Sequence, residues 1–223
     1  MARSAQIISF FIVVAVACFA GAANARNRLP QDSSPPAPIA VSSPTLAPFQ
    51  HVRFCLRYPS ECKSEAADLE RIGMTAEISD LLNRVNHDVN ASIVPAVKSY
   101  GTDLRDGWKL APASGDCNDY AVTKRHDLIE SGLPARALRL SVVKTASGTG
   151  HLVLVAATTQ GDVVLDNLTE AIRPWRKTSY QWLKIQSSTD ARFWYEIKDR
   201  TMEASRSQSH RERRLARIGN SRA

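Results

Sequence analysis

The stretch His151–Ala157, HLVLVAA, constrains the fold of this chain more than any other. A continuous apolar run of this length reads as a strand buried on both faces. Its neighbours can be placed from the sequence. Arg136–Lys144 alternates, with Leu138, Leu140 and Val142 on one face, and Ser147-Gly148-Thr149-Gly150 turns it back. After the run, Thr158-Thr159-Gln160-Gly161 reverses the chain and Asp162–Asn167, DVVLDN, returns as the next strand. Segments around Tyr180–Ile185 and Arg192–Ile197 are also strand-like and rich in aromatics. Helical sequence lies upstream, so the order is helices first and then an antiparallel sheet. That is an α+β domain. No internal repeat and no second domain are visible.

The upstream helices are equally readable. Thr75 can cap a helix whose apolar face is Ile78, Leu81, Leu82, Val85 and Val89, with Asn83, Asn86 and Asn90 interleaved. A second helical stretch is expected to continue to about Lys98. His87, among these asparagines, reads as a surface histidine. Tyr100-Gly101 and Asp106-Gly107-Trp108 form a loop that leads to SGDCNDYAVTKR, Ser114–Arg125. Behind Cys117 the small and apolar positions Ala121, Val122, Leu128 and Ile129 recur at helical spacing, and Gly132 with Pro134 stops the pattern. Cys117 therefore sits at a helix start, where unpaired N–H groups and the helix dipole favour a thiolate. The spacing alone suits a buried structural thiol as well.

The cysteines narrow this choice. Residues 1–25 read as a secretory signal: Arg3, the apolar run Ile7–Ala20, and the cleavage pattern Ala23-Asn24-Ala25. The run is short for a membrane span. Ala15-Val16-Ala17-Cys18 offers a lipoprotein alternative. An exported, periplasmic or secreted chain permits disulfides. Cys18 leaves with the signal, and Cys55 and Cys62, seven apart around a proline turn, look like a local disulfide. Cys117 remains, and a lone thiol in an oxidising compartment is a liability unless buried or used.

The net charge of +7 is concentrated at one end. Residues 200–223 carry seven arginines against Glu203 and Glu212, and without that tail and Arg3 the chain is close to neutral. Basicity is thus a property of a tail expected to be disordered, with no stacking aromatics, and it does not mark a nucleic-acid groove. Residues 26–48 hold six of the eleven prolines, with Ser and Ala between them, and read as a linker. The expected domain is 49–199.

His151 opens one strand of the central hairpin and Asp166 lies near the end of its partner. A two-residue turn at Gln160-Gly161 would hold the two roughly 13 Å apart along the strand, and a three-residue loop would set them on opposite faces. A four-residue loop, Thr158–Gly161, sets Asp166 opposite Val153 on the face of His151, roughly 7–8 Å away by backbone, within side-chain reach. That register is the expected one. A lone Asp inside VVLDNL is also costly to bury without a partner.

A cysteine at a helix start, a histidine on a strand and an aspartate on the next resemble the papain/transglutaminase-like cysteine enzymes. Gly115-Asp116-Cys117-Asn118-Asp119-Tyr120, Gly150-His151, Leu165-Asp166-Asn167-Leu168 and Pro174-Trp175 are together similar to the bacterial transglutaminase-like cysteine proteinases. This periplasmic group includes LapG-type adhesin proteases, and the resemblance covers Phe49 to Ile197. It implies a cysteine endopeptidase with Cys117 as nucleophile, His151 as base and Asp166 orienting it. The Cys117 backbone N–H, helped by Trp108 or a loop amide, would hold the oxyanion. It further implies an adhesin-like substrate at the cell surface, an inner-membrane c-di-GMP receptor as partner, and Ca²⁺ beside the nucleophile. Asp116, Asn118 and Asp119 offer oxygen ligands for that ion, although the two acids equally suit simple capping of the helix. Asn118 stands where the family commonly carries an acid. Acyl transfer to an amine, as in a transglutaminase or amidase, and a non-catalytic binding module are the alternatives.

Overall fold

The computed structural model describes residues 38–63, 67–99, 101 and 107–198. The expected signal segment and basic tail lie outside them. Among the described residues three α-helices stand: α1 (Phe49–Arg57), α2 (Ala76–Ser92) and α3 (Cys117–Glu130). The strands are β1 (Val41–Thr45), β2 (Val94–Pro95), β3 (Ser114–Gly115), β4 (Leu138–Lys144), β5 (Gly150–Thr158), β6 (Gly161–Leu165), β7 (Arg173–Pro174), β8 (Gln181–Gln186) and β9 (Trp194–Ile197). Seven of them form one antiparallel sheet in the order β1-β9-β8-β4-β5-β6-β7. The class is the expected α+β.

The run HLVLVAA is the middle of this sheet, as β5. Its alternate residues serve two cores. Leu152, Leu154 and Ala156 belong to the core shared with Leu82, Val85 and Val89 of α2 and Tyr120, Val122 and Leu128 of α3. Val153 and Val155 pack on the other face with Trp175, Trp182 and Ile185. A strand covered on both sides has no polar face to present, which is why its sequence does not alternate.

Thr75 caps α2 through its hydroxyl, which accepts the Ile78 N–H at 3.3 Å, a contact worth about 1 kcal/mol. The helix ends at Ser92, short of the expected Lys98. Val94 precedes Pro95, and a residue before proline is driven to extended backbone. Val94-Pro95 instead pairs in parallel with Ser114-Gly115, reinforced by Val94 N–H to Ala113 (3.0 Å) and Ala96 N–H to Gly115 (2.9 Å). This short ladder delivers the chain to the start of α3 and brings Lys98 beside it. Gly132, at φ 88°, closes α3 where the sequence places the stop.

One boundary moves. The expected linker, 26–48, contains β1, which pairs with β9, and Ile39 is buried and donates its N–H to Asp162 at 2.8 Å. Proline-rich sequence is tolerated here because β1 is an edge strand, where the missing N–H of Pro44 has no ladder to break. Cys55 and Cys62 are joined as expected, between the last turns of α1 and the short turn Pro59–Cys62. Among the described residues Cys117 is the free cysteine. No helix of the described residues is long and apolar enough to cross a membrane.

Candidate active site

The site forms where the start of α3 meets the ends of β5 and β6. Asp116 is the N-cap of α3, and its carboxylate accepts the Asn118 N–H at 3.0 Å. Asp119 reaches back to the Asp116 N–H at 3.0 Å, completing a reciprocal capping box. Cys117 is thereby held as the first residue of the helix, half-buried. It opens onto a cleft of about 280 Å³ whose walls include Phe49, Gln50, Trp108, His151 and Leu152. A larger hollow, about 710 Å³, lies at the disulfide between Leu56 and Arg192, and Cys117 and His151 do not line it.

His151 is the second residue of β5 and Asp166 follows the last residue of β6. Leu154 pairs with Leu165, so the ladder sets Asp166 across from Val153, the expected register. The turn is tighter than the expected four-residue loop, since Thr158 pairs with Gly161 and only Thr159 and Gln160 form its tip. The imidazole Nε2 and the Asp166 Oδ1 are 2.8 Å apart. Nε2 being engaged by Asp166, Nδ1 is the nitrogen left for Cys117, which lines the same cleft as His151. Burial pulls the His151 pKa down, but hydrogen bonds and charge from Asp166 and Cys117 outweigh it and hold it at about 9. Burial likewise raises the Asp166 pKa, and the bonds from His151, Tyr180 and the Leu168 N–H overcome this and keep it below the ordinary carboxylate value. The pair therefore stands as imidazolium and carboxylate at neutral pH.

Asp166 is held from every side. Its Oδ1 also accepts the Leu168 N–H at 3.1 Å, and the Tyr180 hydroxyl donates to Oδ2. The Tyr180 ring centroid is 5.7 Å from that of His151. The backbone N–H of Asp166 donates to Asn86 Oδ1 and its carbonyl accepts from Asn90 Nδ2, both at 3.1 Å. These two asparagines of α2, one helical turn apart, grip the loop after β6 and so fix the aspartate. Their sequence shows them on the helix without assigning them this role, and Tyr180 likewise carries no sign of one. The i, i+4 spacing of two amides on the buried side of an amphipathic helix was the available signal. Lys124, two turns along α3 from Cys117, was also missed. It is fully buried, and its ammonium has no hydrogen-bond partner among the described residues. Burial depresses its pKa to about 7 against the opposing pull of Asp166 and Glu170.

The three expected calcium ligands are placed differently. Asp119 is fully buried. Its Oδ1 accepts the Lys109 N–H at 2.8 Å, while its Oδ2 accepts the Asp116 N–H and is paired with the Lys98 ammonium. A Cβ on Gly115 would lie 2.3 Å from that same Oδ2, so the pocket around the carboxylate is already full. Asn118 turns its side-chain NH₂ to Asp116 Oδ1, at 3.0 Å. Calcium requires six to eight oxygens. Here the two carboxylates serve backbone N–H groups, an amide and an ammonium, so this donor set does not fit the ion. His87, expected on the surface, is exposed beside Asp88.

Residues 41–202 match the family model of the bacterial transglutaminase-like cysteine proteinases, BTLCP. The chain belongs to this family. It is therefore a cysteine peptidase of the transglutaminase-like type, with the corresponding fold and a protein substrate. Among curated proteins, none matches. Solved structures of Legionella pneumophila LapG superpose on it at low similarity. One has a TM-score of 0.42 at 20% identity over 70% of this chain and 83% of that one. An EGTA-treated form gives 0.42 and 20% over 69% and 81%. A calcium-bound form gives 0.39 and 21% over 62% and 76%.

Proposed function

We propose that this peptidase is an exported endopeptidase working through a Cys117–His151–Asp166 triad. The observation that carries the reading is the 2.8 Å His151–Asp166 contact, with the same imidazole and Cys117 lining one open cleft. In this reading the thiol proton already resides on His151, so that Cys117 stands as thiolate beside the imidazolium. Asp166 keeps the ring oriented and balances its charge. The thiolate attacks the peptide carbonyl carbon, and the carbonyl electrons move to oxygen. The Cys117 backbone N–H at the start of α3 is aimed at that oxyanion, as helix N-termini are. His151 returns its proton to the leaving amine as the C–N bond breaks, leaving a thioester. Water, deprotonated by His151, then releases the acid and the thiol.

Export, a cell-surface adhesin as the class of substrate and an inner-membrane c-di-GMP receptor as partner complete the reading. They are supported by the signal-like residues 1–25 and the family membership. Calcium is left out of the chemistry, since Asp116, Asn118 and Asp119 do not offer it a site. The test compares released and surface-bound proteins from cells carrying the wild-type chain and Cys117→Ala. A surface protein retained at full length only in the mutant supports the reading. Identical profiles, or a chain recovered only in the cytoplasm, would contradict it.

A further inference from the structure

The position where the family resemblance calls for a divalent cation is served by a side chain of the protein itself. We propose that the Lys98 ammonium is the built-in cation of the nucleophile's helix, so that this peptidase presents its cysteine without calcium. The proposal rests on the reading of Cys117 as nucleophile. Lys98 follows β2, and the parallel β2–β3 ladder carries it past Gly115 to Asp119. Its side chain is 17% exposed and the Asp119 carboxylate is fully buried, so the charge pair is shielded from solvent and weakly screened by salt.

The arrangement does what a bound cation would do at this place. Asp119 holds the N–H of Lys109, leading out of the loop at Trp108, and the N–H of Asp116, next to the nucleophile. One carboxylate therefore ties the cleft wall to the first turn of α3. A buried carboxylate is costly without a positive partner. Lys98 supplies it. Asn118 fits the same picture: an acid at 118 would add a further negative charge beside Asp116. A neutral amide donating to Asp116 adds none. Lys98 is a positioning residue: it acts on Cys117 through Asp119.

The test uses the mature chain, wild type, Lys98→Met, Lys98→Arg and His151→Ala, each with EGTA or with Ca²⁺. Three quantities are read: heat on Ca²⁺ titration, the melting temperature, and the rate of Cys117 alkylation by iodoacetamide. For the wild type the proposal predicts no calcium heat and the same melting temperature and alkylation rate in both buffers. Lys98→Met should lower the melting temperature by roughly 10 °C, because it leaves a buried carboxylate unpaired, and slow alkylation several-fold. Lys98→Arg should restore most of both. Calcium heat in the wild type, a rate that falls in EGTA, or a Lys98→Met protein indistinguishable from wild type would overturn it. If Lys98→Met does not fold, the wild-type comparison still decides. His151→Ala separates the two claims: alkylation indifferent to His151 removes the triad reading and leaves the calcium question to the titration.

Discussion

Asp166 and Asp119 are both buried carboxylates, 3% and 0% exposed, and both lie in the surroundings of Cys117. Their partners differ in kind. Asp119 is matched by backbone N–H groups and by a lysine, and its bonds define where a helix begins. Asp166 is matched by an imidazole, a group able to gain and lose a proton, and is steadied by a tyrosine and two asparagines. Burial alone therefore does not distinguish the carboxylate proposed for the triad. The deciding feature is whether a partner can gain and lose a proton while the carboxylate stays put.

That contrast can be broken first at Asp166. Asp166→Asn should keep the fold and cut peptidase turnover by about 10³-fold or more, since the amide would hold the wrong tautomer of His151. Turnover within a few-fold of wild type would mean that Asp166 only props the loop after β6. Asp119→Ala should do the reverse. Removing it orphans two N–H groups and leaves Lys98 uncompensated, at a cost of about 3–5 kcal/mol, or roughly 10 °C in melting temperature. Turnover at low temperature should fall far less than for Asp166→Asn. A melting temperature unchanged within 2 or 3 °C, roughly 1 kcal/mol for a chain of this size, would show the capping box to be dispensable.

The pH dependence of stability sharpens the same point. His151 is raised above its ordinary 6.5 to about 9 in the folded chain. Its contribution is therefore complete below pH 6.5 and is lost as pH rises through about 9, a loss of roughly 3 kcal/mol. Denaturant titrations of wild type and His151→Ala across that window should diverge at neutral pH and converge above it. Parallel curves would deny the ion pair. The smallest effect belongs to the grip on the loop: Asn90→Ala should cost about 1 kcal/mol and lower turnover modestly, measured by the denaturation midpoint and by kcat.

The sheet was legible because its central strand is unambiguous and the register of β5 and β6 can be worked out from turn length and pleat. The same geometry placed His151 beside Asp166. The free state of Cys117 followed from the disulfide between Cys55 and Cys62. What escaped were long-range partners. Nothing near Asn86 or Asn90 announces Asp166, some eighty residues away. Lys98 lay in a segment read as helix, and only the Val94-Pro95 break, with its parallel pairing to Ser114-Gly115, brings it to Asp119. β1 was hidden for a different reason: proline-rich sequence looks like linker unless the edge position that tolerates it is already known.

The central claim, that His151 and Cys117 act as one unit held by Asp166, is tested most directly by the pH dependence of Cys117 alkylation. Wild type should react rapidly and at a nearly constant rate across neutral pH. His151→Ala should be at least about tenfold slower near pH 7 and should rise only towards pH 8.5, as an unassisted thiol does. Superimposable profiles would contradict the account and return Cys117 to the role of an ordinary half-buried thiol.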